Sequence, residues 1–359
     1  MRTLKRKPVD SEGSGMQYVR NTWYPLARSH DITRTLTRRT VIEQNVVLYR
    51  SSDGSVVALD DLCPHRMLPL SLGRLKGDAI ECGYHGMTFD GAGKCIRVPG
   101  QNVIPRNAVV RSYPTGERLG LVWIWMGDPK LADRSKIFDL PEFHDPNWSV
   151  VFGDALHNQS NYLNLADNLC DPSHVSFVHS GSLGNAASED IPVQSERDGE
   201  KILVWRWVPD APPIGIFQNY RKFSGNVDRW HYYHYYAPSI AVIDFGTAPA
   251  GSIPVDGDLN RGMRIFAGHF ITPVDQRTSI DHWLHIRNFN QDDPDVASQL
   301  NSDFRAVFDE DRLILEALHR EEEARPDFKR INLAIDAAPN KMRRIVDDMI
   351  ARDQTLASQ

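Results

Sequence analysis

Two short segments, Cys63-Pro64-His65 and Cys82-Gly83-Tyr84-His85, set a thiolate and an imidazole in the same order twice, with sixteen residues between them. A [2Fe–2S] cluster of the Rieske kind asks for this donor set, because one iron takes two cysteine sulfurs and the other two histidine nitrogens. Each loop then delivers one ligand of each kind, and the neutral imidazoles raise the reduction potential. A Cys2His2 zinc site would use the same residue types, but zinc sites usually group a cysteine pair and then a histidine pair. Pro64, Gly83 and Gly86 suit the tight turns that bring both loops over one cluster, since proline presets φ and glycine permits positive φ.

A second donor group follows as Asp171-x2-His174-x4-His179. Asp171-Pro172 reads as a helix start, which places His174 in the first turn. Residues five apart on an ideal helix are about 140° apart, so the two histidines meet at one metal only if the helix bends or ends near His179. A third ligand follows from periodicity nearer the C-terminus. At 100° per residue, Leu300, Phe304, Phe308, Leu315 and Leu318 form an apolar stripe roughly 80° wide, and Asp311 falls inside it. Asp309 and Glu310 are expected to point away, as solvated acids. An ionised carboxylate facing a core is expensive unless a cation or donor neutralises it. His174, His179 and Asp311 make a two-histidine, one-carboxylate set, which leaves positions open on ferrous iron for O2.

The elements that position these groups can be read coarsely. Runs such as Val46-Val47-Leu48-Tyr49 and Leu121-Val122-Trp123-Ile124-Trp125 read as strands, with Asp53-Gly54, Asp90-Gly91 and Ala92-Gly93 as turns between strands. A proline-bearing stretch between Asp128 and Pro146 marks a boundary. Beyond it come a helical stretch near 160–179, a strand-rich middle from Ile202 to Arg287, and a long helix from about Asp295 to Ala324. The expected fold is α+β: an all-β cluster domain over 16–140, then a domain over 141–359 with a central antiparallel sheet and a long C-terminal helix. Residues 1–15 are polar and read as a loose tail.

Composition narrows the setting. The 359 residues carry a net charge of −6, which argues against a nucleic-acid partner. No apolar run approaches the length of a membrane span, and no apolar leader follows the basic start, so the chain is expected in the cytoplasm. Besides Cys63 and Cys82, the only cysteines are Cys95 and Cys170, which read as buried small hydrophobes rather than a disulfide framework.

With these residues in place, the chain resembles the Rieske non-haem iron oxygenases, within them the vanillate O-demethylase oxygenase subunit and dicamba monooxygenase type. The likeness rests on Cys63-Pro64-His65-Arg66, Cys82-Gly83-Tyr84-His85-Gly86, Asp167-Asn168-Leu169-Cys170-Asp171 with His174 and His179, Arg287-Asn288-Phe289, Glu310-Asp311 and the tail from Ile331. It implies that Cys63 and Cys82 bind one cluster iron, His65 and His85 the other, and His174, His179 and Asp311 the mononuclear Fe(2+). It further implies that Asp171 links His174 to His85 of the partner subunit in a homotrimer, that Asn168 lies near the iron, and that His269 contacts substrate.

The implied activity is that of a terminal oxygenase using O2 and externally supplied electrons to hydroxylate a small aromatic substrate, with O- or N-demethylation following. Ring or side-chain hydroxylation is the alternative within the family. A Rieske electron carrier without catalysis, or a structural zinc module, would be alternatives of another class. No Gly-x-Gly-x-x-Gly follows a strand, so electrons are expected from a separate reductase or ferredoxin. The sequence departs from relatives at Cys170, where methionine is common, and in the aromatic run Trp230 to Tyr236. Alternation sends His231, Tyr233 and Tyr235 to one face of that strand, where they are candidate pocket residues, and Trp205, Phe217 and Tyr220 are expected to favour an aromatic ligand beside them.

Overall fold

A computed structural model describes residues 18–357 of the chain; the expected tail over 1–15 lies outside the described residues. Residues 23–125 build three small antiparallel sheets. One runs Thr37–Val41, Gln44–Arg50, Val56–Asp60 and Ser112–Tyr113; another places Leu121–Trp125 between Trp23–Arg28 and Thr115–Arg118. Val46 to Tyr49 and Leu121 to Trp125 are buried on both faces, which is why they are continuous apolar runs instead of alternating ones. The third sheet, Arg74–Lys76, Ala79–Glu81, Thr88–Phe89 and Cys95–Arg97, carries the second Cys/His loop.

Residues 149–287 form an eight-stranded antiparallel sheet. Its order is Ser149–Phe152, Ser279–Arg287, Met263–Pro273, Ile240–Pro249, Val227–Tyr236, Lys201–Ala211 and Gln194–Asp198, with Leu156–Asn158 also pairing onto Ser279–Arg287. Five α-helices accompany it among the described residues: α1 (Tyr162–Asn168), α2 (Val175–Val178), α3 (Gly215–Gln218), α4 (Pro294–Ala324) and α5 (Ala337–Ala357). Asp293 starts α4 by accepting the N–H groups of Asp295 and Val296, and Pro294 takes the first helical position, where its missing donor is harmless. Asn161 caps α1 through the N–H of Leu163. Arg343 of α5 grips both oxygens of Asp167 in α1 at 2.6–3.1 Å, and Asn164 donates to Glu322 of α4 at 2.7 Å. These ties fix α1 against the two long helices, and α1 leads directly into the histidine segment.

One apolar core runs from Tyr24 and Ile124 through Tyr162, Tyr235 and Phe304 to Met342, so two of the small sheets pack with the large one, while the third packs in a separate core with Val47, Tyr49 and Leu59. Thr272 donates to the carbonyl of Pro25 at 2.7 Å across this junction. No helix among the described residues is long and apolar enough to cross a membrane.

Two expectations need correction. The helical stretch near 160–179 holds two short helices, α1 and α2, and Asp171-Pro172 does not begin the second. Asp171 instead accepts the N–H of Ser173 at 2.7 Å, a local turn, and α2 begins at Val175 with His174 as its N-cap. Leu318 is 51% exposed, and the buried stripe of α4 ends with Leu315 and His319. The supposed continuation to Leu318 fails because the buried position in that turn is His319, which leaves the neighbouring Leu318 on the exposed side of α4.

Candidate metal centres and substrate cavity

The two Cys/His loops share one hydrogen-bond pattern. Cys63 gives its N–H to the carbonyl of Leu68 and accepts from Met67; Cys82 gives its N–H to Met87 and accepts from Gly86. The fourth residue after each cysteine has positive φ, +63° at Met67 and +72° at Gly86. Gly83 answers a different demand, because a Cβ there would lie 2.8 Å from the carbonyl oxygen of Leu72. The outcome is two buried thiols facing one another and two exposed imidazoles with ring centres 4.6 Å apart. Burial pushes the Cys63 thiol up, with Cys82 adding to the rise, so Cys63 resists ionising unless a cation lies beside its sulfur. Sulfur donors inside and nitrogen donors at the surface fit a mixed-ligand two-iron cluster. Cys95 and Cys170 are buried and free, as expected.

The second group comes together where α1 ends. α2 is a single turn and stops at Val178, so His179 leaves the helix and turns back toward His174, which meets the geometric condition for convergence. His174, His179 and Asp311 bring one ligand atom each within 4.8 Å of one another. His179 Nε2 lies 3.1 Å and His174 Nε2 3.6 Å from the Asp311 carboxylate. Asn168, the last residue of α1, donates to Asp311 Oδ1 at 2.9 Å. Burial pushes the Asp311 carboxyl up, but the hydrogen bond from His179 and the charges of both histidines outweigh it and hold the group below its ordinary value. No Lys or Arg pairs with Asp311 among the described residues. Two nitrogens and a carboxylate gathered without another cation fit a metal ion. The buried His174 Nδ1 has no hydrogen-bond partner, and Asp171 Oδ2 stands 3.9 Å from it, beyond bonding range.

Glu310 corrects a further expectation. It is not a solvated acid pointing away: its Oε2 takes a hydrogen bond from His179 Nδ1 at 2.7 Å, which leaves Nε2 free for a metal. The helical wheel misplaced it because a wheel locates Cα atoms, and the glutamate side chain reaches back around the helix. The available signal was the need of a ligating histidine for a carboxylate on its other nitrogen. Asp309, by contrast, faces Arg305 and Arg312 as expected.

Above Asp311 lies a mostly apolar cavity. Leu169, Val175 and Leu183 form one side, Phe304, Val307 and Phe308 of α4 another, and His231, Tyr233, Ile243, Phe245, Ala267 and His269 of the sheet the third. Of the candidate pocket residues, His231, Tyr233 and His269 therefore line it. Tyr235 does not. It shares their face of the strand, but it is fully buried, with its hydroxyl donating to the Pro238 carbonyl, where α5 covers neighbouring strands. Trp205, Phe217 and Tyr220 do not line it either; Phe217 packs behind Phe245, and Tyr220 donates to Asp303 at 3.2 Å. His269 Nδ1 lies 2.7 Å from Asp281. His231 Nδ1 accepts from Arg206 at 3.1 Å, and burial together with Arg206 and Arg229 pushes its pKa far down, so the ring is neutral.

Paired Cys/His loops in one part of the chain and a two-histidine, one-carboxylate group at an apolar cavity in another define an oxygen-activating iron protein. Comparison with known proteins agrees. Residues 22–114 match the Rieske [2Fe-2S] domain, and residues 158–352 match the vanillate O-demethylase oxygenase C-terminal domain. The chain is 34% identical over 338 residues to the toluene-4-sulfonate monooxygenase system iron-sulfur subunit of Comamonas testosteroni, covering 93% of this chain and 97% of that protein. It is 31% identical to the vanillate O-demethylase oxygenase subunit of Pseudomonas sp. strain HR199, covering 95% and 97%. The crystal structure of dicamba monooxygenase bound to 3,6-dichlorosalicylic acid superposes with a TM-score of 0.87 at 30% identity, covering 96% of this chain and 100% of that one. The chain belongs to the Rieske non-haem iron oxygenases, in the group defined by the vanillate O-demethylase C-terminal domain. That match sets aside the electron-carrier and zinc-module alternatives: the protein is a Rieske-type monooxygenase.

Proposed function

We propose that this chain is the terminal oxygenase of a multicomponent system that hydroxylates a small aromatic compound at an O- or N-alkyl carbon, so that the alkyl group leaves as an aldehyde. The observation that carries this reading is the convergence of His174, His179 and Asp311 at the floor of an apolar cavity. Cys63 and Cys82 are assigned to one cluster iron, His65 and His85 to the other, and His174, His179 and Asp311 to the mononuclear iron. When bound, these centres supply single electrons and let O2 deliver one atom into a C–H bond and the other to water. The residues of the chain do the rest. Phe304, Val307 and Phe308 keep water from the ring, Asn168 steadies Asp311, Glu310 orients His179, and His231 and His269 offer hydrogen bonds to the substrate. A hydroxylated methoxy carbon is a hemiacetal, which collapses to formaldehyde and a phenol without further help.

Relatives named as oxygenase components of vanillate, dicamba and chloroacetanilide dealkylating systems support both the reaction class and a separate reductase or ferredoxin. The exposed imidazole of His65 suits electron entry from such a partner. We assign a homotrimer in which the unpartnered edge of Asp171 meets His85 of the partner subunit, and a reducing cytoplasmic setting in which Cys95 and Cys170 stay free. The toluene-4-sulfonate relative supports a second reading, hydroxylation of a ring methyl group, since its named substrate carries no O- or N-alkyl carbon. Oxygen uptake with a generic reductase and a panel of methoxylated, N-alkylated and ring-methylated aromatics tests the proposal. Uptake matched by formaldehyde supports dealkylation; uptake yielding a benzylic alcohol and no formaldehyde supports the second reading and refutes the first.

A further inference from the structure

One wall of the cavity is backed by positive charge with no counter-charge bonded to it. Arg206 and Arg229 stand on adjacent strands and are 2% and 0% exposed, and neither forms an ion pair with a carboxylate among the described residues. Arg206 lies directly across from His231 in the antiparallel register. It donates Nε–H to His231 Nδ1 at 3.1 Å and Nη1–H to the Ser188 carbonyl at 2.8 Å, while its buried Nη2 has no acceptor. Arg229 donates to Asn185 at 2.9 Å, and its Nε and Nη1 are likewise buried without acceptors. Asp171 and Tyr233 act on Arg206 only at longer range. A buried guanidinium without a counter-charge is unfavourable. Anchoring the 185–188 loop accounts for the bonds to Asn185 and Ser188, but not for an arginine that spends its Nε–H on a histidine of the cavity wall.

That bond fixes a proton. A guanidinium has donors and no acceptor, so His231 Nδ1 accepts and the ring hydrogen of this neutral imidazole sits on Nε2. His269 is set the opposite way, with the Asp281 carboxylate holding its Nδ1 and its Nε2 buried without a partner. Resting on the oxygenase reading above, we propose that His231 is a specificity residue whose Nε2–H receives the anionic substituent, carboxylate or sulfonate, of an aryl substrate. Arg206 is its positioning residue, and Arg206 and Arg229 supply the balancing charge. The substrate class is thereby narrowed to aryl acids.

Calorimetry on the iron-loaded holoenzyme tests this without turnover, using 4-methoxybenzoate against 4-methoxybenzamide and toluene-4-sulfonate against toluene-4-sulfonamide. The wild type should bind at least one acid about tenfold or more tightly than its amide, the effect of one charge-assisted hydrogen bond in a dry site. The pair that discriminates identifies carboxylate or sulfonate as the substituent. In Arg206→Met the acid-to-amide ratio should fall to within about twofold, whereas Arg206→Lys, which keeps a charge and a donor, should retain most of it. A role confined to folding would weaken acid and amide together. Equal binding of acid and amide by the wild type overturns the proposal, as does an unchanged ratio in Arg206→Met. Should that variant fail to fold, the wild-type ratio and Arg206→Gln, which keeps a donor but no charge, decide in its place. Acid-selective binding with neither formaldehyde nor hydroxylated product refutes the oxygenase reading and leaves this inference standing.

Discussion

Replacing Glu310 with glutamine keeps the size of the side chain and removes the charge that takes the hydrogen bond from His179 Nδ1 at 2.7 Å. Carboxylates that orient a metal-binding histidine are worth roughly 10- to 100-fold in metal affinity. Glu310 is 48% exposed, so solvent screens its charge and the lower end applies. The expected loss is about tenfold in iron affinity, or about 1.4 kcal/mol. The assay is chelator competition on the holoenzyme, with the visible absorption of the cluster as an internal control. The mononuclear iron should leave about ten times more readily from Glu310→Gln while the cluster spectrum stays unchanged. Iron retention equal to the wild type would refute the reasoning, because His179 would then be oriented without Glu310.

Other perturbations reach different parts of the structure. Asp311→Asn should keep the colour of the cluster and abolish turnover, read by absorption and oxygen uptake together. Phe304→Ala removes a 1% exposed ring that packs against Phe245, Trp283, His285 and Phe308, and should cost about 3–5 kcal/mol in denaturant melts. Gly153→Ala would set a Cβ 1.8 Å from the ring of Trp283, and should destabilise by about 1–3 kcal/mol or prevent folding. His285, buried and beside Arg287, has its pKa pushed down to about 3. The unfolded chain then binds more protons between that value and the ordinary one near 6.5, so stability is full above about pH 6.5 and falls as the pH drops toward 3. His285→Phe should flatten that acid slope by at most about 1.4 kcal/mol per pH unit, measured by urea melts across the range.

Much of the fold and site was legible because the signals were local and periodic. The alternating and continuous apolar runs located the strands, and a period of 3.6 over Leu300 to Leu315 placed a lone carboxylate on a buried stripe. The spacing of His174 and His179 carried its own condition, that the helix end near His179, and the one-turn helix α2 supplies it. What stayed hidden depended on reach and on covering elements. Glu310 bends back along α4 to His179, which no wheel of Cα positions records. Tyr235 follows the alternation of its strand yet loses the cavity because tertiary packing closes over it. Arg206 carries no signal of its own in the sequence, since only the strand register brings it opposite His231, twenty-five positions further along the chain.

If His174, His179 and Asp311 hold one iron at the floor of the cavity, that iron is directly visible by diffraction. An anomalous difference map of crystals of the iron-loaded protein, collected at the iron edge, tests for it most directly. A peak apart from the cluster is expected, bonded to Nε2 of both histidines and to the Asp311 carboxylate. A map with density only at the cluster, or a second peak with other ligands while Asp311 faces water, would contradict the assignment.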